Sequence, residues 1–567
     1  MYFDLKICFT WNCKKIFIML VQRGNIVDLE QQRVYFGEIC YDLKCVVSVL
    51  EVSSEVEGEL FVMPGFIDSH VHIESSMLVP SEFAKVSVQF GVVATVSDPH
   101  EIANVLGVSG MEYMRKNGLD SGFKFFFGVP SCVPAVSFDR SGFVLDSKIV
   151  DELLASGNYY YLAEMMNFPG VVSGDEDVLT KIESALGRGL KVDGHAPGLI
   201  GDDLLKYVKS GITSDHECMS VDEAELKVKL GMKIQIREGS AAKNFDSLID
   251  IAKKYPDMVM LCSDDCHPDD LLDEYFLKQV KRAILAGVDF FDAMKISNYN
   301  AVKHYGLPVG LLQKGDPADF IVVDNLTDLN VLKTVIDGIV VYEKGTSKCN
   351  DVAVEVVNNF CENYIDLNDI SVFYEGHSSV DVKVISTIEG ELYTKKDICS
   401  LDVVGNTVLA SPDKDVLKIV VLNRYMKAKP SVGFIKGFGL KKGAICSSVS
   451  HDSHNIVAVG VDDESIVKVV NGVVNAKGGL AYADDDIFEI LELPVAGIMS
   501  DSSAEVVASK YRHLLEVAQR SGSKMKAPFM TMAFMSLVVI PELKISDQGL
   551  FDVVAFKPTS LFENERK

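Results

Sequence analysis

The sequence predicts an α/β protein built on a (β/α)8 barrel, inserted in a small β-sandwich domain and followed by a C-terminal α/β (α+β) domain. Three observations carry this. Between residues 62 and 305, eight apolar, β-rich runs recur, most of them separated by helix-like text, the alternation expected of parallel βα units. Short strand-like runs with turn residues flank that block on both sides. Polar residues gather where the eight runs end, the face on which such barrels carry their functional groups.

Taken in order, the first 20 residues, MYFDLKICFTWNCKKIFIML, have no clean basic start, and Lys14 and Lys15 interrupt the apolar text. They read as an ill-fitting extension or an alternative start, with Met19 the natural beginning. Ile16 to Val21 is too short to span a bilayer, and no other segment qualifies. Residues 21–61 and 306–346 read as two halves of one small β-domain, through GNIVDL, RVYFGEICYDL and CVVSVLEV before the barrel and FIVVDN and DGIVVYEKG after it. The barrel block, 62–305, contains FVMPGFID, VVATVSD, FKFFFGVP, YYYLAEMMN, LKVDGH, GITSDHE, MKIQIREG and MVMLCSDD. From 350 to 567 the periodicity is mixed. KIVVLNRY, IVAVGVDD and VVNGVVNAKGGLAYA look like strands or αβ units, and AEVVASKYRHLLEVAQRSG is an amphipathic helix by its apolar spacing.

A formal net charge of −26 argues against a phosphate-backbone partner, since nucleic-acid binders need a basic stripe. Twelve Cys without paired CxxC spacing, in a chain too long to need disulfides, read as reduced thiols of a cytoplasmic protein. Cys262 and Cys266 flank an acidic segment, but two thiols without a second pair make a poor zinc site.

The strand ends carry the chemistry. His70 and His72 are two residues apart, so both imidazoles can reach one metal ion. Asp98, His100 and Glu101 follow the second run, Glu164 the fourth, His195 the fifth, His216 and Glu217 the sixth, Arg237 and Glu238 the seventh, and Asp264 and Asp265 the eighth. His70, His72, Glu164, His195, His216 and Asp264 make four imidazoles and two carboxylates, enough for two divalent ions. Such mixed ligation suits Zn, Mn or Fe, and lowers the pKa of a bound water far enough to give hydroxide near neutral pH. Asp265 competes with Asp264, because adjacent residues point opposite ways. Each group also has a plainer reading: Glu164 as a satisfied buried carboxylate, His195 and His216 as loop histidines. The zinc nucleobase deaminases of the cytidine type are excluded, because His72-Ile73-Glu74 has no PCxxC to follow it.

PGFIDSHVHIESSMLVPSEFA and VSDPHEIANVLG, with PSCVPA, LAEMMNFPGV, VDGHAPGL, SDHE, REGSAAKN, LCSDD, HDSHNI and PFMTMAFMSLVVIPELKISDQGL, resemble the amidohydrolase superfamily, and within it the bacterial-type adenine deaminases. The resemblance runs from about residue 24 to the end. It implies hydrolysis of adenine to hypoxanthine and ammonia in purine salvage, through a metal-bound hydroxide attacking C6. The implied centre is binuclear, with Mn2+ first, Fe2+ next and Zn2+ third, and His70, His72, Glu164, His195, His216 and Asp264 take the metal roles. Glu164 stands where many members of the superfamily use a carboxylated Lys as the bridge. Glu217, Asp264 and Glu164 are the catalytic candidates, with Glu217 or Asp264 shuttling the proton. Arg237, Glu238 and Ser240 are the candidates for substrate contact, and His100 and Glu101 are possible additional ligands. His451 and His454, in HDSHN, read either as a polar turn or as a lid that completes the substrate pocket or holds a further metal. A homo-oligomer, dimer or tetramer, and no membrane partner complete the expectation. Two readings compete: another cyclic amidohydrolase of the dihydroorotase kind, and a barrel scaffold without catalysis.

Overall fold

The computed structural model describes residues 6–8, 17–240 and 242–563. Of the first 20 residues, 6–8 and 17–20 are strand, and the others lie outside the described residues. The strand Phe17–Asp28 therefore begins ahead of the boundary that the sequence suggests at residue 21.

Eight strands form the barrel: β1 Phe66–Val71, β2 Val92–Ser97, β3 Lys124–Phe127, β4 Tyr161–Met165, β5 Lys191–Gly194, β6 Ser214–Asp215, β7 Lys233–Arg237 and β8 Val259–Cys262. β1–β2, β2–β3, β4–β5, β6–β7 and β7–β8 pair in parallel. Val129 N–H bonds Tyr161 O at 2.9 Å to join β3 to β4, and Thr213 N–H bonds Val192 O at 2.9 Å to join β5 to β6. Closure comes from Asp264 N–H to His70 O at 2.9 Å, so the last strand end meets the first. Every residue of β1, β2 and β4 is buried, as expected of strands covered on one face by helices and packed on the other.

The outer helices follow from spacing and caps. In Glu176–Gly187, Val178, Ile182 and Ala185 fall on one buried stripe, and the Asp175 carboxylate caps the start by accepting from Val178 N–H. Removing such a cap costs about 1 kcal/mol.

The strands 17–63 and 320–347 lie in one mixed sheet, in which Ile321–Val323 run antiparallel to Phe61–Met63, and Phe61–Val62 run parallel to Asn25–Ile26. The sheet curls over its own core, so that Tyr41 meets Phe320 edge-on at 5.2 Å. The C-terminal part has a nine-stranded sheet, covered by the helix Asp463–Ala476. VVNGVVN is helical here although β-branched. Ile466, Val469, Val470, Val473 and Val474 repeat at the helical period, and that face is buried. Ala504–Arg520 is the amphipathic helix its spacing predicts. One continuous apolar core runs from the barrel into this sheet, and Ser500 N–H reaches Met77 O at 2.8 Å beside the barrel mouth. Among the described residues, no helix is long and apolar enough to cross a membrane.

Candidate metal centre and cavity

The end of β1 is tied to β8 before any ligand is considered. Asp68, buried, accepts from Ser263 N–H at 3.1 Å and from the hydroxyls of Ser263 and Tyr275. His72 Nδ1 faces the Asp98 carbonyl at 3.1 Å, and since a carbonyl only accepts, Nδ1 carries the hydrogen. The Nε2 lone pair is then free, 3.3 Å from Glu164 Oε1 and 3.2 Å from Asp264 Oδ1. Neither ring nitrogen of His70 has a hydrogen-bond partner. Its Nε2 lies 3.9 Å from Glu164 and 3.8 Å from Asp264. Burial, reinforced by His216 and His72, pushes His70 well below the ordinary imidazole value, so its ring stays neutral.

Glu164 divides the cluster. Oε1 faces His72 at 3.3 Å, His100 Nδ1 at 3.6 Å and His70 at 3.9 Å. Oε2 faces His195 Nδ1 at 2.7 Å and His216 Nε2 at 3.2 Å. One oxygen turned to each of two imidazole groups is the form of a bridging carboxylate. Burial alone would raise the Glu164 pKa, yet His195 and His216 hold it well below the carboxylate range. Burial opposes charge on His195 as well, but Glu217 and Glu164 push its pKa up to about 9. The acids thus draw positive charge into this space. Unpartnered imidazole nitrogens beside buried carboxylates fit divalent metal ions of the Mn, Fe or Zn kind.

A second knot sets the adjoining groups. Asp215, at the end of β6, accepts from Glu217 N–H at 2.9 Å and Ala196 N–H at 3.3 Å and pairs with the buried Lys227. Lys227 also reaches Ala196 O at 2.8 Å and Glu223 at 2.7 Å. With β5 and β6 held this way, His216 and Glu217 both face the mouth. Glu217 accepts from two Arg237 nitrogens, Oε2 from Nη2 at 2.8 Å, and Arg237 Nη1 also reaches Asp264 Oδ2 at 2.6 Å. Asn244 accepts from Arg237 N–H at 2.8 Å and donates to His216 O at 2.9 Å, fixing the register of the two loops.

Beside the cluster lies a cavity of about 550 Å³. Its barrel wall includes His195, Glu217, Arg237, Ser240 and Met219. The opposite wall comes from the C-terminal part, through Leu392, Tyr393, Met525, Ala527, Thr531 and Ile540. Glu389, Glu391 and Lys526 add charge to that second wall, so both sides carry charged groups among apolar ones.

All six expected ligands converge. Between the competing aspartates, Asp264 touches the histidines most closely, while Asp265 accepts from Ser75 Oγ at 2.5 Å. Three residues expected at the substrate do not line the cavity. Glu238 follows the inward Arg237 and so points away, to Arg282 at 2.7 Å. His451 and His454 are buried against the two oxygens of Glu101, behind His100. Ser240 does line the cavity, with its hydroxyl given to Asp270 at 2.5 Å. Tyr393 and Met525, in loops, and Thr531, in the short helix Pro528–Ala533, were not legible as pocket residues, because single positions of this kind carry no spacing signal. Asp98 was visible at a strand end but stood outside the expected ligand set.

A parallel barrel with histidines and acids at its strand ends is the architecture of the amidohydrolases, and the amidohydrolase family model matches residues 61–341. The model of the adenine deaminase C-terminal domain matches residues 391–557. The adenine deaminase of Methanosarcina mazei is 48% identical over 552 residues, 96% of this chain and 99% of that one. That of Salinibacter ruber is 48% identical over 536 residues, covering 94% and 97%. That of Borreliella burgdorferi is 46% identical over 542 residues, covering 94% and 98%. The chain belongs to the adenine deaminase family. Among solved structures, the β-aspartyl dipeptidase of Fervidobacterium islandicum AW-1 is 18% identical with a TM-score of 0.46, over 59% of this chain and 100% of that one.

Proposed function

We propose that this chain hydrolyses adenine to hypoxanthine and ammonia as a metal-dependent aminohydrolase. The observation that carries the proposal is the cavity beside the Glu164 cluster, with Glu217 and Arg237 on one wall and Leu392, Tyr393, Met525 and Ile540 among the side chains of the other. A flat base needs apolar contact on its faces and polar groups at its edge, and this cavity supplies both.

The metal roles belong to His70, His72 and Asp264 on one side of Glu164 and to His195 and His216 on the other. Divalent ions bound there would supply a hydroxide nucleophile near neutral pH. In the overall reaction, water adds at C6, a ring nitrogen takes a proton, and the amino group leaves as ammonia after gaining one. Glu217 is the group we assign to that proton traffic. It lies 3.6 Å from His195 and 3.7 Å from His216 and lines the cavity. Arg237 orients it. Asp264, with one oxygen taken by Arg237 and the other turned to His72, is the weaker candidate for the shuttle. We further propose Mn2+ as the working metal, ahead of Fe2+ and Zn2+, and a cytoplasmic homo-oligomer, dimer or tetramer, acting in purine salvage.

Purified without chelators, the protein should contain divalent metal and release ammonia from adenine. Metal-loaded protein that leaves adenine intact but opens a cyclic amide would overturn the proposal in favour of another amidohydrolase.

A further inference from the structure

Asp98 and His100 are left over by the binuclear reading. Asp98 is 1% exposed, and neither of its carboxylate oxygens has a hydrogen-bond partner. A buried carboxylate without a donor is costly unless a cation is present. His100 Nδ1, also buried and unpartnered, lies 3.2 Å from Asp98 Oδ2 and 3.6 Å from Glu164 Oε1. Donors bonded to one metal at 2.0–2.2 Å stand about 3.0–3.5 Å apart, so these spacings are close to the edges of a coordination shell. A His100 imidazolium would also offset the Asp98 charge across the 3.2 Å contact, which lies off hydrogen-bond geometry, and a metal peak at the pair separates the two cases.

The other nitrogen of the ring is oriented as a metal-bound histidine requires. His100 Nε2 faces Glu101 Oε1 at 3.4 Å, the carboxylate–histidine arrangement that turns the remaining lone pair toward a metal. Glu101 is held in turn by His451 Nδ1 and His454 Nε2. His454 is not itself a ligand. Its Nδ1 accepts from Ser450 N–H at 3.2 Å, so Nε2 carries the hydrogen and has no lone pair to offer. The HDSHN turn is therefore a clamp on the orienting carboxylate.

We infer that Asp98 and His100 bind a third divalent cation, sharing Glu164 with the two-metal centre, with water filling its other positions. The inference rests on the reading of the Glu164 cluster as a metal centre, and the test separates the two. The full chain, produced with Mn2+ as the probe and without chelators, is crystallised and its anomalous map calculated at the Mn edge, with metal counted per chain. The expected result is about three equivalents, with a peak bonded to His100 Nδ1 and an Asp98 oxygen. Asp98→Asn should then hold about two, its missing peak being that one. Peaks at His70/His72 and His195/His216 with none at Asp98/His100 in the wild type would overturn the inference and leave the metal centre standing. No peak anywhere would overturn the metal-centre reading first, and the inference with it. Should Asp98→Asn not fold, the wild-type map alone decides.

Discussion

Replacing Glu217 by Gln isolates the proton-transfer role from the metal site. Losing a positioned acid/base group costs about 10²–10⁴-fold in turnover, or about 2.7–5.4 kcal/mol of transition-state stabilisation. The structural cost is smaller. Arg237 is buried, and removing one partner of such a pair costs about 3–5 kcal/mol when a charge is stranded. Here Gln keeps an oxygen for Arg237, and Asp264 remains at 2.6 Å, so the loss should fall to about 1–3 kcal/mol. The assay pairs steady-state ammonia release with metal analysis and thermal unfolding on one preparation. The expected outcome is intact metal, a modest fall in Tm and a loss of kcat of at least about 100-fold. Turnover within about twofold of wild type would refute the assignment and move the shuttle to Asp264. Arg237→Gln, which strands both Glu217 and Asp264 in the interior, should be the less stable protein of the two.

Glu164→Gln should lose metal and activity together while the barrel stays folded, by metal analysis and circular dichroism, and full retention of metal would remove Glu164 as the bridge. Tyr393→Ala should raise the KM for adenine by about 2–10-fold, the worth of one aromatic contact, and an unchanged KM would take Tyr393 out of the binding wall. Lys544 is fully buried, its partners among the described residues being the carbonyls of Leu392 at 2.8 Å and Phe534 at 3.1 Å, and burial lowers its pKa to about 7. The unfolded chain keeps that proton up to about pH 10.4, so wild-type stability gains as pH rises from 7 toward 10. The Tm advantage of Lys544→Met should accordingly be largest at pH 7 and below and shrink toward pH 10, and a gap that widens with pH would contradict the burial argument.

The barrel was legible because eight β-rich runs with helical spacers leave few other folds, and the cluster of candidate ligands because histidines and acids recur just past those runs. Glu238 was misplaced for a reason the sequence also contains: it follows Arg237 at a strand end, and successive side chains alternate. Glu217 escapes that rule because β6 stops at Asp215, and Asp215 turns the chain by accepting the Glu217 N–H. His451 and His454, expected as a polar turn or as a lid over the pocket, instead meet Glu101. No residue pattern distinguishes a histidine facing substrate from one facing a buried acid. The C-terminal cavity wall was hidden for the same reason, since Tyr393 and Met525 acquire meaning only through a partner surface far away in the chain.

The two walls of the cavity leave the ribosome at very different times. Glu164, His195, His216 and Asp264 have all been synthesised once the barrel has emerged, as have both partners of the closing bond from Asp264 N–H to His70 O. Tyr393 follows well after the barrel, and Met525 and Ile540 arrive only near the end of synthesis. The Glu164 cluster is therefore synthesised in full before the second wall of the cavity exists.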